Sequence, residues 1–324
     1  MVVVQDLHRN EIHSSNIAGA NHRTEHGEAL VAHPIPKEAY AYCQRVTKAA
    51  AKNFYYAFIT LPKQRRRAIY ATYAFCRMCD DIADEALPKE EKLRQLREVE
   101  DSLELAKTGY AAGPVYQALA HAVNEYGIPW EDLSEVVRGV EMDLTINRYE
   151  SFDDLRSYCY RVASVVGLIC IQVCGYSDPR ARDYVIDLGL AMQLTNILRD
   201  IQEDMELGRV YLPQEELFRY GYTEKQLMAG EINEDFAKFM EFQVARARAY
   251  FMSGKRLLKL LPMRTRACPS VIGGIYSRIL DRIEDNGYDV YERRISLSSR
   301  EKLFLTVRLW CQSYFPVERV ATAW

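Results

Sequence analysis

Residues 80–84 read Asp-Asp-Ile-Ala-Asp, and residues 200–204 read Asp-Ile-Gln-Glu-Asp. Both stretches lie in sequence with helical spacing, and in each the first and last aspartates stand at i and i+4 and share one helix face. Two such faces turned toward one cavity offer carboxylate oxygens to hard divalent cations, which complete their shell with water and phosphate oxygens. We therefore expect magnesium and a diphosphate to bind between two helices that are far apart in the chain.

Side chains that precede the first motif extend its face. Helical steps back from Asp80 lead to Arg77 and Tyr73, while Asp81 and Asp84 lie beside it. An arginine one turn before the carboxylates can hold them between metal ions, or bind a phosphate through two parallel hydrogen bonds. A surface network of arginine and aspartate is the alternative, because this acidic pattern also occurs on exposed helices.

The second motif continues a polar stripe on an apolar helix. Gln193, Asn196, Asp200 and Asp204 follow one another at i, i+3, i+7 and i+11, after the apolar run 188–192. Buried amides and carboxyls that lack partners cost roughly 1–3 kcal/mol each. We therefore expect metal, water and diphosphate oxygens to satisfy this stripe.

Residues that follow the second motif, and others late in the chain, are candidates for closing the site. Arg209 and Tyr211 come after a short loop at Gly208, from which they can donate to a phosphate oxygen. A structural salt bridge is the alternative role for Arg209. Tyr276 and Arg293, on and just after a late helix, are expected at the same mouth.

Aromatic and small residues predict an apolar side to the site. Phe54 and Phe58 open an early helix, and Tyr160, a catalytic candidate, precedes Ala163 and Gly167. Aromatic faces stabilise a carbocation by about 0.5–2 kcal/mol each. Small residues let a long hydrocarbon chain pass along a helix.

Composition and periodicity predict one all-α domain. Hydrophobic residues make up 48% of the 324 residues, enough for a large core, and the net charge of −3 argues against a nucleic-acid binder. From Pro36 onward, apolar residues recur in steps of three and four. We assign a disordered N-terminal tail to 1–35, a catalytic helical domain to 36–316 and a C-terminal tail to 317–324.

The sequence also leads to expectations about the cellular location of the protein and its contact with membranes. No run approaches the roughly 18–20 uninterrupted apolar residues of a membrane span, and the start of the chain lacks a signal peptide. Eight cysteines scattered along helical sequence fit a reducing cytoplasm. The amphipathic stretch 303–310 is expected to pack against the bundle, and peripheral contact with the inner membrane surface is the alternative. We expect a monomer or a weak dimer.

These motifs, in this order, resemble the squalene/phytoene synthase family over roughly residues 38–314. The resemblance is densest at 73–77 with 80–84, 158–163, 193–204, 208–213, 280–284 and 287–290. It implies a class I isoprenoid synthase helical bundle around a central cavity that holds two prenyl diphosphates. One departure is visible at Lys52 and Asn53, where many members have serines; both residues can still donate to a diphosphate.

The resemblance also implies roles for individual residues. Two or three Mg²⁺ ions would be bridged by diphosphate. The implied metal ligands are Asp80, Asp84, Asp200 and Asp204, with Asp81 and Asn196 in support. The implied diphosphate-binding residues are Tyr73, Arg77, Arg199, Arg209, Tyr211, Tyr276 and Arg293.

The expected product depends on the length of the prenyl chain. Stretches 162–171 and 245–250 resemble bacterial hopanoid-type presqualene diphosphate synthases, which join two farnesyl diphosphates. A bulky Phe58 in the tunnel favours C15 chains, so Phe58→Ala is expected to admit longer substrates. Phytoene synthase, which joins two geranylgeranyl diphosphates, is the alternative. Reduction to squalene would require NADPH, which is not predicted; a terpene cyclase or a non-catalytic helical scaffold fits the second motif poorly.

Overall fold

The chain is described here by a computed structural model that covers residues 36–51 and 53–315. Within these residues there are fifteen α-helices and no β-sheet; a single parallel bridge joins Arg148 and Val210. The all-α prediction is therefore confirmed. The helices are α1 Lys37–Ala50, α2 Phe54–Phe58, α3 Lys63–Asp84, α4 Lys89–Lys107, α5 Gly113–Tyr126, α6 Trp130–Thr145, α7 Phe152–Cys159, α8 Val165–Cys174, α9 Ala181–Arg199, α10 Ile201–Glu206, α11 Gln214–Arg219, α12 Glu224–Met228, α13 Glu234–Gly254, α14 Ala267–Asp285 and α15 Ser299–Ser313.

Helix starts follow local sequence signals. Prolines stand directly before the first residue of α1, α3, α4, α6 and α11, where their missing N–H group leaves no helical bond unmade. Capping boxes begin α7 at Ser151, α12 at Thr223 and α15 at Ser298. In each box, the hydroxyl oxygen accepts a hydrogen bond from the backbone N–H of the residue three positions later. These local signals determine where each of these helices begins.

Helix α9 forms the centre of the bundle. Its residues from Leu188 onward are all buried, and it packs against α8, α13 and α14. Two glycines make this possible: a Cβ at Gly189 would lie 2.6 Å from the Cα of Ser164, and one at Gly254 would lie 2.9 Å from the Cα of Leu188. The central helix is therefore fixed by backbone contact on two sides, which gives the polar residues at its C-terminal end a rigid base.

Two helices depart from the regular geometry that the sequence predicts. The apolar spacing of residues 179–206 predicts one continuous helix, but the structure breaks it at Asp200, whose φ of −105° and ψ of 20° separate α9 from α10. Aspartate competes with helix geometry through its own hydrogen bonds, and here its carboxylate is drawn to two arginines. The spacing of residues 152–175 also predicts one regular helix, but the structure has a π-helical turn, Tyr160–Ser164, between α7 and α8. Such turns are frequent at functional sites.

Among the described residues, one helix is long and apolar enough to cross a membrane by length and composition. It is the continuous segment Phe152–Cys174, and 61% of its most apolar window is buried inside the protein. From the sequence we expect no membrane-spanning segment, because that expectation considers only uninterrupted apolar runs. Since this helix lines the central cavity, its place in the core accounts for its apolar composition.

Candidate active site

The two acidic motifs converge in the interior. Asp80 on α3 is 2% exposed and Asp204 on α10 is 6% exposed. Burial raises the pKa of both carboxyls, and the carboxylate of Asp143 on α6 is near enough to raise each of them further. Three carboxyls from three helices therefore lie in one buried volume. The paired motifs predict this for Asp80 and Asp204. Asp143 was missed, because a single aspartate in α6 forms no motif.

Asp200 has a different environment. It accepts from Arg199, with Nε to Oδ1 at 2.7 Å, and from Arg294, with Nε to Oδ1 at 3.0 Å and Nη2 to Oδ2 at 3.1 Å. Burial opposes ionisation, but these two guanidiniums hold the pKa of Asp200 below its usual value. Arg294 also lies 3.2 Å from Glu203. The predicted Arg293 is exposed, and it is its neighbour that reaches the acidic motif.

The rim of the site carries accessible charges. Arg77 forms an i,i+4 salt bridge with Asp81, whose side chain is 53% exposed, and Asp84 is also exposed. Arg209 acts electrostatically on both Asp84 and Asp204, and its backbone N–H donates to the Asp204 carbonyl at 2.9 Å. Arg209 therefore stands between the two motifs, where a diphosphate bound to both would lie.

Polar atoms of the stripe on α9 lack partners. The Oδ1 of Asn196, the Nε2 of Gln193 and the Oδ2 of Asp80 are buried and have no hydrogen-bond partner among the described residues. The amide of Asn196 lies 3.5 Å from the Oε1 of Gln193, at the limit of a hydrogen bond. Because native proteins satisfy nearly all buried polar atoms, these atoms indicate that a polar ligand completes the site.

The donor set fits magnesium held jointly with a phosphate ligand. Within 36–51 and 53–315, no three histidine, cysteine, aspartate or glutamate side chains form a group able to hold a metal ion alone. Mg²⁺ is commonly bound by one or two carboxylates together with substrate phosphates and water. Carboxylates on separate helices, with arginines beside them, match that mode of binding.

A tyrosine cluster lines the acidic volume. The hydroxyl of Tyr211 donates to Oδ1 of Asp143 at 2.8 Å, and its ring stacks on Tyr158 and Tyr149 at 5.1 and 5.9 Å between centroids. Burial, followed by the charge of Asp143, raises the pKa of Tyr211 and Tyr158, so both remain neutral. The predicted Tyr160 does not join this cluster; it lies in a separate groove beside Glu135.

An apolar cavity extends beneath the polar groups. Tyr73 and Cys76 of α3 line its upper part, one to two helical turns below Asp80. Lower on the same helix is Ile69, about 16 Å from Asp80 at 1.5 Å per residue. The deep end is formed by small and medium side chains, among them Cys174, Cys268, Leu257 and Val185.

Phe54 and Phe58, two of the predicted aromatic residues, line this cavity. The Phe54 ring lies 5.9 Å from Phe58, 6.4 Å from Tyr73 and 6.2 Å from Tyr276 between centroids. Asn53 is buried next to them. Lys52 lies outside the described residues, so its predicted diphosphate contact remains a prediction. The cavity thus has an aromatic upper wall under a polar head.

An all-helical bundle with two aspartate motifs that each contribute buried carboxyls above an apolar cavity defines a class I isoprenoid synthase fold. A family model for squalene/phytoene synthases matches residues 47–301. The chain therefore belongs to the squalene/phytoene synthase family, whose members condense two prenyl diphosphates head to head with the help of a divalent metal.

Individual relatives agree with this assignment. The chain is 36% identical to the 15-cis-phytoene synthase of Synechococcus elongatus, over 82% of this chain and 90% of the relative. It is also 36% identical to the phytoene synthase of Mycobacterium tuberculosis, over 82% and 88%. Among solved structures, squalene synthase HpnC from Alicyclobacillus acidocaldarius superposes with a TM-score of 0.75 at 28% identity, over 78% and 96% of the two chains. A dehydrosqualene synthase in complex with a ligand superposes with a TM-score of 0.78 at 28% identity, over 86% and 98%.

Proposed function

We propose that this protein condenses two molecules of geranylgeranyl diphosphate to phytoene. The observation that carries the proposal is the placement of buried carboxyls of both motifs directly above a long apolar cavity. The C20 substrate is supported by the relatives, because those that align over most of the chain at 34–36% identity are named phytoene synthases. This choice reverses the order of the two products favoured by the sequence alone.

The polar head would bind the two diphosphates. Asp80, Asp84 and Asp204 would hold Mg²⁺, which supplies Lewis-acid stabilisation to the departing diphosphate. Arg77 and Arg209 stand at the rim with guanidinium groups that can donate to phosphate oxygens. Asp200 would act with its two arginines, which it orients toward the same charge.

The apolar wall would protect the cationic stages of the reaction. One diphosphate leaves, and C1 of the resulting allylic cation forms a bond with the C2–C3 double bond of the second molecule. A proton leaves to give a cyclopropylcarbinyl diphosphate; loss of its diphosphate, rearrangement and loss of a second proton give phytoene. The rings of Phe54, Phe58 and Tyr73 present π faces within this volume, and water is excluded by its apolar lining.

Condensation of two C15 farnesyl diphosphates is the second candidate. Phe58 is 4% exposed on the cavity wall, where its ring narrows the space beside Tyr73 and Tyr70. The solved structures that superpose well include a squalene synthase and a dehydrosqualene synthase. The two candidates share every polar residue and differ only in the hydrocarbon that the cavity accepts.

Chromatography of products from C15 and C20 diphosphates, each given alone and then in competition, tests the choice. We expect the wild-type protein to form a C40 hydrocarbon from the C20 substrate with the higher kcat/KM. C30 products from the C15 substrate together with no reaction of the C20 substrate would overturn the phytoene proposal. In that case, Phe58→Ala should restore turnover of the longer chain.

Variants at the deep end of the cavity sharpen the test. Cys174→Leu and Cys268→Leu add bulk where the end of a C20 chain would lie, and should shift the preference toward C15. Cys43→Leu is the matched control, because Cys43 is equally buried but lies on α1 outside the cavity lining. It should lower stability by about 1–3 kcal/mol through overpacking without changing product length.

A further inference from the structure

Glu216 of α11 is a charged side chain that lies in the interior, where it is 5% exposed. Its carboxylate accepts from both terminal nitrogens of Arg246 on α13, with Nη1 to Oε2 at 2.9 Å, and from Nε2 of Gln243 at 2.7 Å. Nη1 of Arg246 also donates to Oε1 of Gln243 at 3.2 Å. A guanidinium that binds a carboxylate through two parallel hydrogen bonds fixes the orientation of both partners. Helix α11 is therefore held to α13 in one defined position.

The same guanidinium also contacts the start of α7. Its Cζ lies 3.7 Å from the centroid of the Phe152 ring, and Phe152 is the first residue of α7. The backbone N–H of Phe152 donates to Oε1 of Glu215, the neighbour of Glu216, at 3.4 Å. One arginine side chain thus joins three helices, α7, α11 and α13.

The chain between α10 and α11 is bonded to the chain between α6 and α7. We call residues 208–213 the crossing segment. The backbone N–H groups of Val210 and of Gln214, which begins α11, donate to carbonyls of the second connection at 3.0 Å each. The crossing segment carries Arg209 and Tyr211, two residues of the candidate site, and ends directly before α11. The position of α11 therefore limits where the crossing segment can lie.

Helix α13 provides the fixed end of this arrangement. It packs against the central helix α9, where a Cβ at Gly254 would lie 2.9 Å from the Cα of Leu188. Arg246 precedes Gly254 by about 12 Å along α13, at 1.5 Å per residue. Because α9 carries the polar stripe that leads into the second motif, Arg246 joins the crossing segment to the same rigid base.

We infer that Arg246 is a positioning residue, which holds Arg209 and Tyr211 in place beside the buried acids. This role depends on the proposed function, in which Arg209 would donate to a phosphate oxygen. Arg246 lies outside the cavity lining, so it acts through the crossing segment and not on the substrate. Without its two parallel hydrogen bonds, α11 can shift, and Arg209 is displaced from the diphosphate.

Calorimetry of the full chain with Mg²⁺ and inorganic diphosphate measures this effect. Arg246→Lys keeps the positive charge, but an ammonium binds as a point charge and lacks the planar fork. It should weaken diphosphate binding roughly tenfold, the loss expected for one displaced charge-assisted hydrogen bond. Arg248→Lys is the matched control, because Arg248 is two residues later on α13 and pairs with Asp281 and Glu284 of α14 instead. It should leave the diphosphate affinity unchanged.

A double-mutant cycle separates positioning from a general loss of structure. If Arg246 acts through Arg209, then Arg209→Gln combined with Arg246→Lys should bind diphosphate within about twofold of Arg209→Gln alone. A general loss of structure would multiply the two single effects. Glu216→Gln combined with Arg246→Met leaves no unpaired charge in the interior and is the second probe. It should weaken diphosphate binding as Arg246→Lys does.

Two results would overturn the positioning role of Arg246. One is an unchanged diphosphate affinity in both Arg246→Lys and the double variant at Glu216 and Arg246, and the other is a pair of losses that multiply in the cycle. In either case, diphosphate binding by the wild-type protein would leave the proposed function standing. A wild-type protein that binds no diphosphate in the presence of Mg²⁺ would overturn the proposed function and the role of Arg246 together.

Discussion

The two aspartate motifs have the same spacing, but their first aspartates, Asp80 and Asp200, have pKa values shifted in opposite directions. Asp200 in the second motif is neutralised by Arg199 and Arg294, which keep its pKa low in spite of burial. Asp80 in the first motif is buried as deeply, but burial and neighbouring carboxylates raise its pKa well above the usual value. The charge of Asp200 is thus balanced by arginines of the protein itself. The charged form of Asp80 would instead be stabilised by a bound cation.

This difference teaches that equal motif positions need not have equal roles. A carboxylate that arginines already hold contributes to the folded structure whether or not metal is present. A carboxylate that lacks a cation is a source of instability in the free protein and of affinity in the complex. The pKa of Asp204, like that of Asp80, is raised by burial and by neighbouring carboxylates. The following predictions use that division.

The largest expected effect is on turnover. Asp80→Asn or Asp204→Asn should lower kcat/KM by about 10²–10³-fold, because under the proposed function each would remove a carboxylate that would hold Mg²⁺ beside the departing diphosphate. Asp101→Asn, an exposed change on α4, serves as the control and should have no effect. Steady-state release of diphosphate measures all three. Wild-type rates in either buried variant would separate that carboxylate from catalysis.

The free energy of unfolding should depend on Asp200 more than on Asp80, the reverse of the order expected for turnover. Asp200→Asn leaves the buried Arg199 without its counter-charge and should reduce the free energy of unfolding by about 3–5 kcal/mol. Asp80→Asn removes a buried carboxyl that favours its neutral form, so the metal-free protein should be as stable or more stable. Urea unfolding in a chelator gives both values, with the exposed Asp81→Asn as reference. Equal destabilisation by the two buried variants would contradict the comparison.

The pH dependence follows from the same shifts. The folded pKa values of Asp80 and Asp204 are raised, so the folded state binds more protons than the unfolded one, and stability is lost as pH rises above the unfolded value of about 4. In chelator, Asp80→Asn should therefore gain stability relative to wild type between pH 5 and pH 8. A difference that does not change with pH would show that Asp80 is not perturbed.

The smallest effect concerns the tyrosines beside the acids. Tyr211→Phe removes the hydrogen bond to the buried Asp143 and should cost about 1–3 kcal/mol in stability, together with a several-fold lower kcat. Tyr160→Phe changes a residue in the separate groove and should alter neither. Thermal unfolding and product formation measure the pair. A larger loss of activity in Tyr160→Phe would restore the original sequence assignment.

Much of the fold was readable from the sequence because its signals are local. Prolines before α3, α4 and α6 and the apolar steps of three and four fix most helices, and the i,i+4 aspartates point to the interior site. The break at Asp200 could not be predicted from the sequence, because the contact that Asp200 makes there with Arg294 joins residues ninety-four positions apart in the chain. Local helical spacing carries no record of such a partner.

The remaining site residues were missed for similar reasons. Asp143 is a lone carboxyl, and only the packing of α6 brings it to both motifs. The sequence does not distinguish Arg293 from Arg294 as a partner of the acidic motif. The backbone conformation of the irregular segment before α15 determines which of the two turns inward. Tyr158 and Tyr160 are two positions apart near a π-helical turn, where the regular period fails to identify the inward residue.

Anomalous diffraction from crystals grown with Mn²⁺ and an unreactive prenyl thiodiphosphate tests the shared ion site most directly. The account predicts manganese peaks within coordination distance of both Asp80 and Asp204, bridged by diphosphate oxygens above the apolar cavity. Manganese bound to one motif alone, or a diphosphate bound away from both, would contradict it.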